Sequence, residues 1–225
     1  MALEILLIVI IAVLGLIVQS RLQNVFSKYS RVMSPGGMTG REIAEKMLRD
    51  HGIHDVTVTN TRGHLTDHYN PANKTLNLSD SVYNSNSVAA AAVAAHECGH
   101  AIQHAEGYAF LRLRSALVPI VQFSSSLAQI VIIIGILLIN AFPLLYWLGI
   151  VMFLMVFIFS AVTLPVEYDA SHRALAWLER SNTLSATEMS QARITLKWAA
   201  RTYLVAALSA LATLIYYLGF ANNRD

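Results

Sequence analysis

The chain has one cysteine, few charged residues, and no charge deep inside any of its long apolar runs. The lone Cys98 excludes an internal disulfide and fits a reducing, cytosolic face. Charged residues make up 13% of the 225, against about 25% in an average soluble domain. Hydrophobic residues reach 55% and mean hydropathy is positive, which points away from an ordinary water-soluble globule. A channel or transporter built on these runs would need a charged residue well inside a span, and that feature is missing. The formal net charge of +2 says nothing about nucleic acid and reflects membrane orientation; no nucleic-acid partner is expected.

Four apolar runs approach the roughly 20 residues that a spanning helix needs: 3–18, 117–139, 144–164 and 203–220. Tyr146 and Trp147 near the start of the third, and Tyr216, Tyr217 and Phe220 at the end of the fourth, suit a membrane interface. The first run holds only Glu4 and reads as a retained anchor, since no basic segment precedes it and no A-x-A cleavage site follows. The second carries Ser124, Ser125 and Ser126, which are expected to face the interior of the helix bundle.

Charge orients these spans. Of 16 Lys and Arg, ten fall between the first and second runs and five between the third and fourth; the last is Arg224. Arg21, Lys28, Arg31, Arg112, Arg114 and Arg201 stand nearest the runs and carry most weight. Both basic segments are therefore expected in the cytoplasm of a multi-pass cell-membrane protein, with both termini outside.

Into this setting falls an alanine-rich run that leads to His96-Glu97-Cys98-Gly99-His100. Alanine is the strongest helix former, Ser87 is a suitable N-cap and Gly107 a suitable stop, so a helix is expected from about 87 to 104. On a helix, residues four apart lie one above the other, about 6 Å along the axis. Two imidazoles there can share one zinc ion, with Glu97 beside it as a base. Cys98 points about 200° around from His96, so it is read as a packing residue. His104 sits about 12 Å along the axis from His96, too far for ligand atoms that lie only about 3.4 Å apart on zinc. The third ligand must come from elsewhere on the same side of the membrane. Glu167, in Leu164-Pro165-Val166-Glu167, is the candidate; it follows the third run, and Pro165 is expected to open a new helix.

The segment after the first run begins with a polar connection over 19–34. Thr39 and Glu42 form a capping-box signature for a helix ending near Gly52. Val56–Thr59 and Thr75–Ser79 alternate as short strands. The free edge of the strand that precedes the His96 helix is expected to pair with an extended substrate.

H-E-C-G-H-A-I-Q at 96–103, the span pair, L-P-V-E-Y-D-A-S-H-R-A at 164–174, and the stretch from His64 through Leu76-Asn77-Leu78-Ser79 to Tyr83 resemble the YugP-type family of membrane neutral zinc metallopeptidases. The resemblance implies His96, His100 and Glu167 as ligands of one Zn²⁺ and Glu97 as the catalytic residue. The wider group of integral-membrane zinc proteases has an aspartate four residues after the glutamate ligand. Here that position is Ser171; Asp169 is only two residues on, and His172 or Arg173 is the expected oxyanion group. The implied fold is a mainly α integral membrane protein, four transmembrane helices with a small α+β zincin-like cytoplasmic domain. Its parts are an anchor at 1–19, the cytoplasmic domain at 20–116, a transmembrane pair at 117–164, a cytoplasmic helical segment at 165–202, and a last span with tail at 203–225. The implied activity is endopeptidase cleavage of a peptide or membrane-protein substrate near the cytoplasmic membrane face, by Glu97-assisted attack of water at the zinc. The alternative is a non-catalytic membrane scaffold stabilised by zinc. The sequence leaves open whether a second copy or another membrane protein joins it.

Overall fold

The computed structural model describes residues 2–222, so Arg224 lies outside the described residues. The order of elements is α1 (Ala2–Tyr29), α2 (Gly40–Asp50), β1 (Thr57–Thr61), β2 (His68–Asn70), β3 (Thr75–Ser79), α3 (Asp80–Tyr83), α4 (Val88–Ala105), α5 (Ala109–Leu137), α6 (Pro143–Arg180) and α7 (Ala186–Asn222). Helices α1, α5, α6 and α7 are each long and apolar enough to cross a membrane. At 1.5 Å per residue, the 38 residues of α6 extend about 57 Å, nearly twice a hydrocarbon core of about 30 Å. The surplus in α6 carries Glu167, Asp169, Arg173 and Arg180; in α7 it carries Glu188, Arg193, Lys197 and Arg201.

Two boundaries differ from those the sequence led us to expect. The polar connection after residue 18 is not a loop, because α1 continues to Tyr29. Pro165 does not open a new helix; it lies inside α6. A proline there removes one backbone donor, the helical partner of the carbonyl four residues earlier, a loss that membrane helices tolerate. Thr163 Oγ1 donates to the Phe159 carbonyl at 2.8 Å and Ser160 Oγ to that of Val156 at 3.0 Å, one turn before the proline.

The chain divides into two compact units. One draws on α1 up to Ile17, residues 112–165, and α7 from Thr202. Its core is Ile132, Tyr146, Ile150 and Leu214. A Cβ on Gly135 would lie 2.6 Å from the Tyr146 Cα, and one on Gly149 would lie 3.0 Å from the Ile132 Cα. Lipid gives no hydrophobic drive between helices, so this backbone-to-backbone approach of α5 and α6 supplies the van der Waals contact that holds them. The Tyr146 hydroxyl donates to the Tyr217 carbonyl. Of the three serines expected to face inward, only Ser124 is buried; Ser125 and Ser126 are exposed and bond to carbonyls of their own helix, which makes them tolerable at that position.

The other unit comprises residues 18–111 and 166–201. Its core joins Ile43, Met47, Leu76, Leu78, Val82, the alanines of α4, Trp177 and Leu178. Helix α4 packs against α2, α3, β2 and β3, and its small side chains are buried on nearly every face. The three strands lie in the order β1-β3-β2, with β3 parallel to β1 and antiparallel to β2. This overturns the expected free edge on the strand before α4. That strand, β3, is central and paired on both sides; β1 and the three-residue β2 are the two edges.

Candidate metal centre

Helix α4 is built as its sequence dictates. Ser87 caps it by accepting from the Ala90 amide at 3.2 Å. Gly107, with φ of +66°, ends it: the Gly107 amide reaches the His104 carbonyl and the Tyr108 amide reaches that of Gln103. Between these ends, Gly99 lets α6 approach. A Cβ at Gly99 would lie 2.6 Å from the Ala170 carbonyl oxygen, so any larger residue would push the two backbones apart.

That approach brings His96, His100 and Glu167 together. Glu167 Oε2 lies 3.3 Å from His96 Nε2 and 3.6 Å from His100 Nε2, and one potential ligand atom from each of the three falls within 4.8 Å of the others. Ligand atoms on tetrahedral zinc are separated by about 3.4 Å, and two imidazole nitrogens with one carboxylate oxygen form a common catalytic donor set. The residues therefore fit a zinc ion that keeps one position open. Burial alone opposes ionisation of Glu167, but hydrogen bonds and charge from His100 and His96 outweigh it and hold the carboxyl well below 4.5. For His100, burial lowers the pKa, and Glu167 facing its Nε2 more than reverses this. A metal entering there must displace that proton.

Glu97 is buried beside this group. Burial pushes its carboxyl above the ordinary 4.5; the two imidazoles oppose the rise, while Glu167 and Asp67 reinforce it. Its Oε2 accepts from the Tyr69 amide of β2 at 3.1 Å, which ties the edge strand to the acid.

The outer nitrogens of both histidines are also engaged. The Ser171 hydroxyl lies 3.1 Å from His96 Nδ1, and Gln103 Oε1 lies 3.0 Å from His100 Nδ1. Ser171 thus stands against His96 from the position where the wider group of proteases has aspartate. Asp169 does not reach either histidine directly; its Oδ2 accepts from Gln103 Nε2 at 2.8 Å.

A family model described as "Putative neutral zinc metallopeptidase" matches residues 4–222. The chain belongs to this family. It is also similar to the "Putative membrane protease YugP" of Bacillus subtilis (strain 168), at 40% identity over 220 residues and 96% of each chain. No solved structure shows a significant match. With the family and four helices able to span a bilayer, the chain is a membrane protein of a zinc metallopeptidase family.

The remaining side chains with ligand chemistry are placed elsewhere. His104 Nδ1 lies 2.8 Å from the Tyr69 hydroxyl, and His68 Nδ1 lies 2.8 Å from the Thr66 carbonyl. Cys98 is buried, with its thiol directed at the Ala44 carbonyl. Arg173, a sequence candidate for steadying an oxyanion, is committed to two carboxylates: Asp169 at 2.6 Å and Glu106 at 2.7 Å. His172 is exposed. Sequence reasoning missed Gln103 and the Tyr69 amide. Gln103 had a signal, since it lies three residues after His100 and shares its side of the helix; the Tyr69 contact depends on a three-residue strand with no readable period.

Proposed function

We propose that the chain is a membrane-embedded, zinc-dependent endopeptidase in which His96, His100 and Glu167 hold one Zn²⁺ and Glu97 is the general acid–base. The single observation that carries this reading is the two-imidazole, one-carboxylate cluster at zinc-ligand spacing, with a buried glutamate from the same helix beside it. A zinc ion held there would polarise the scissile carbonyl and bring a water's pKa toward about 7. Glu97, raised above its ordinary range, takes the proton from the attacking water and delivers it to the leaving amine. The Tyr69 amide fixes one Glu97 oxygen, leaving the other for the proton. An extended peptide lies along the edge strand β2, next to that amide.

The helix, edge strand and motif arrangement supports a zincin-like domain assembled from 20–116 and 165–202. The excess of basic residues in both segments supports a cytoplasmic site with both termini outside. The substrates are peptides or membrane proteins cut near that membrane face. Replacing Glu97 with Gln tests the mechanism. The zinc-loaded variant should bind metal and lose at least a hundredfold in cleavage of membrane-associated substrates, on the order expected for losing acid–base catalysis. Unchanged cleavage would sink the mechanism. A scaffold, by contrast, would hold zinc and cut nothing even with Glu97 intact.

A further inference from the structure

Building on the proposed zinc site, we infer that Gln103 is the positioning residue for His100, and that Asp169 and Arg173 act on the metal site through it. Gln103 is fully buried, so its amide must find partners at both ends. Its Nε2 lies 2.8 Å from the Val166 carbonyl and 2.8 Å from Asp169 Oδ2, two groups that only accept. Both amide hydrogens are therefore used on α6, and the oxygen end must face His100. This orientation has no flipped alternative, because a flip would set oxygen against two acceptors and N–H against an imidazole nitrogen. His100 Nδ1 must then carry the proton and donate to Gln103 Oε1, which leaves the Nε2 lone pair for metal beside Glu167.

The amide is itself held from both sides. Arg173 Nε donates to Asp169 Oδ2 at 2.6 Å, and the Arg173 guanidinium also reaches Glu106 at 2.7 Å. The series Glu106–Arg173–Asp169–Gln103–His100 starts at the C-cap of α4, crosses α6 through Arg173 and Asp169, and finishes inside α4. Residue 103 is thus the point where the alignment of two helices becomes the tautomer of one ligand. Because the acceptor is a neutral amide, the Asp169 charge stays one residue removed from the imidazole. A ligand histidine relies on such an acceptor for its tautomer and ring angle, and losing it typically weakens metal binding 10- to 100-fold.

The test measures zinc affinity of the detergent-purified full chain by competition with a fluorescent chelator. Gln103→Leu, which keeps bulk and removes the amide, should weaken binding about 10- to 100-fold. Gln103→Glu keeps an acceptor for His100 but sets a carboxylate against Asp169 and the Val166 carbonyl, and should also weaken it. Adding Asp169→Asn to Gln103→Glu removes the opposed carboxylate charges but leaves the Val166 carbonyl facing an oxygen, so affinity should recover in part. A Gln103 that only packs the helices would keep its zinc affinity in Gln103→Leu, which preserves bulk and removes only the amide. Unchanged affinity in Gln103→Leu, or a paired variant that binds or folds no better than Gln103→Glu, overturns the inference. Failure of the unaltered protein to bind zinc would instead overturn the reading of the site itself.

Discussion

The closest backbone approach at the site predicts its most sensitive position. In Gly99→Ala, the new Cβ would stand 2.6 Å from the Ala170 carbonyl oxygen, 3.0 Å from its Cα and 3.1 Å from its carbonyl carbon. Ordinary contact begins near 3.4 Å, so α4 and α6 must separate by about 0.8 Å. The obstacle is backbone in a 38-residue helix, which cannot swing aside as a flexible side chain could. Alanine improves helix propensity by about 1 kcal/mol over glycine. Overpacking of this kind costs about 1–3 kcal/mol, so the net effect is a loss. The same separation acts on the pairs that bridge the two helices. Glu167 to His96 at 3.3 Å, Glu167 to His100 at 3.6 Å, and Ser171 to His96 at 3.1 Å all span from α6 to α4. A shift approaching 1 Å at a reacting constellation costs on the order of 100-fold in rate. Thermal melting in detergent reads the stability, and chelator competition reads zinc affinity. Gly99→Ala should melt lower and bind zinc more weakly than the unaltered chain, despite its gain in helix propensity. A variant with unchanged melting and unchanged zinc affinity would refute the argument that glycine is there to admit α6.

Other expectations can be measured on the same preparations. Ser171→Ala removes the group beside His96 Nδ1 and should weaken zinc binding, whereas Ser171→Asp should strengthen it, because a carboxylate is the better acceptor; equal affinities in all three would deny the contact a role. Metal-free Glu97→Gln should be more stable than the unaltered chain at neutral pH. The sign follows from the raised Glu97 carboxyl: its folded pKa exceeds the ordinary 4.5, so stability present below pH 4.5 is lost as pH rises through the folded value, a loss that glutamine avoids. The two should converge below pH 4.5, and a stability difference that ignores pH would count against burial as the cause. A reporter fused after the fourth span should report the outer face; cytoplasmic signal would reverse the charge-based orientation.

Local signals made much of the polar unit readable in advance. The Thr39–Glu42 capping box and the Ser87 and Gly107 ends of α4 are set by residues within a few positions of one another, and both helices end close to where those residues place them. Glu167 was reachable because topology and chemistry left few acids in the right segment. What escaped was non-local. Pro165 reads as a helix start on its own, and only its apolar surroundings let α6 pass through it. Strand β2 is three residues long, too short to show alternation, yet it supplies the amide that holds Glu97. The contacts of Gln103 and Ser171 exist because Gly99 allows two helices to meet, a distance that no spacing in the sequence encodes.

The most direct measurement of the central claim is the zinc content of the purified protein beside that of Glu167→Ala. The account predicts one zinc per chain in the unaltered protein and loss of stoichiometric zinc on removal of the carboxylate from α6. Full retention of zinc by Glu167→Ala would contradict it, since the third ligand would then lie elsewhere.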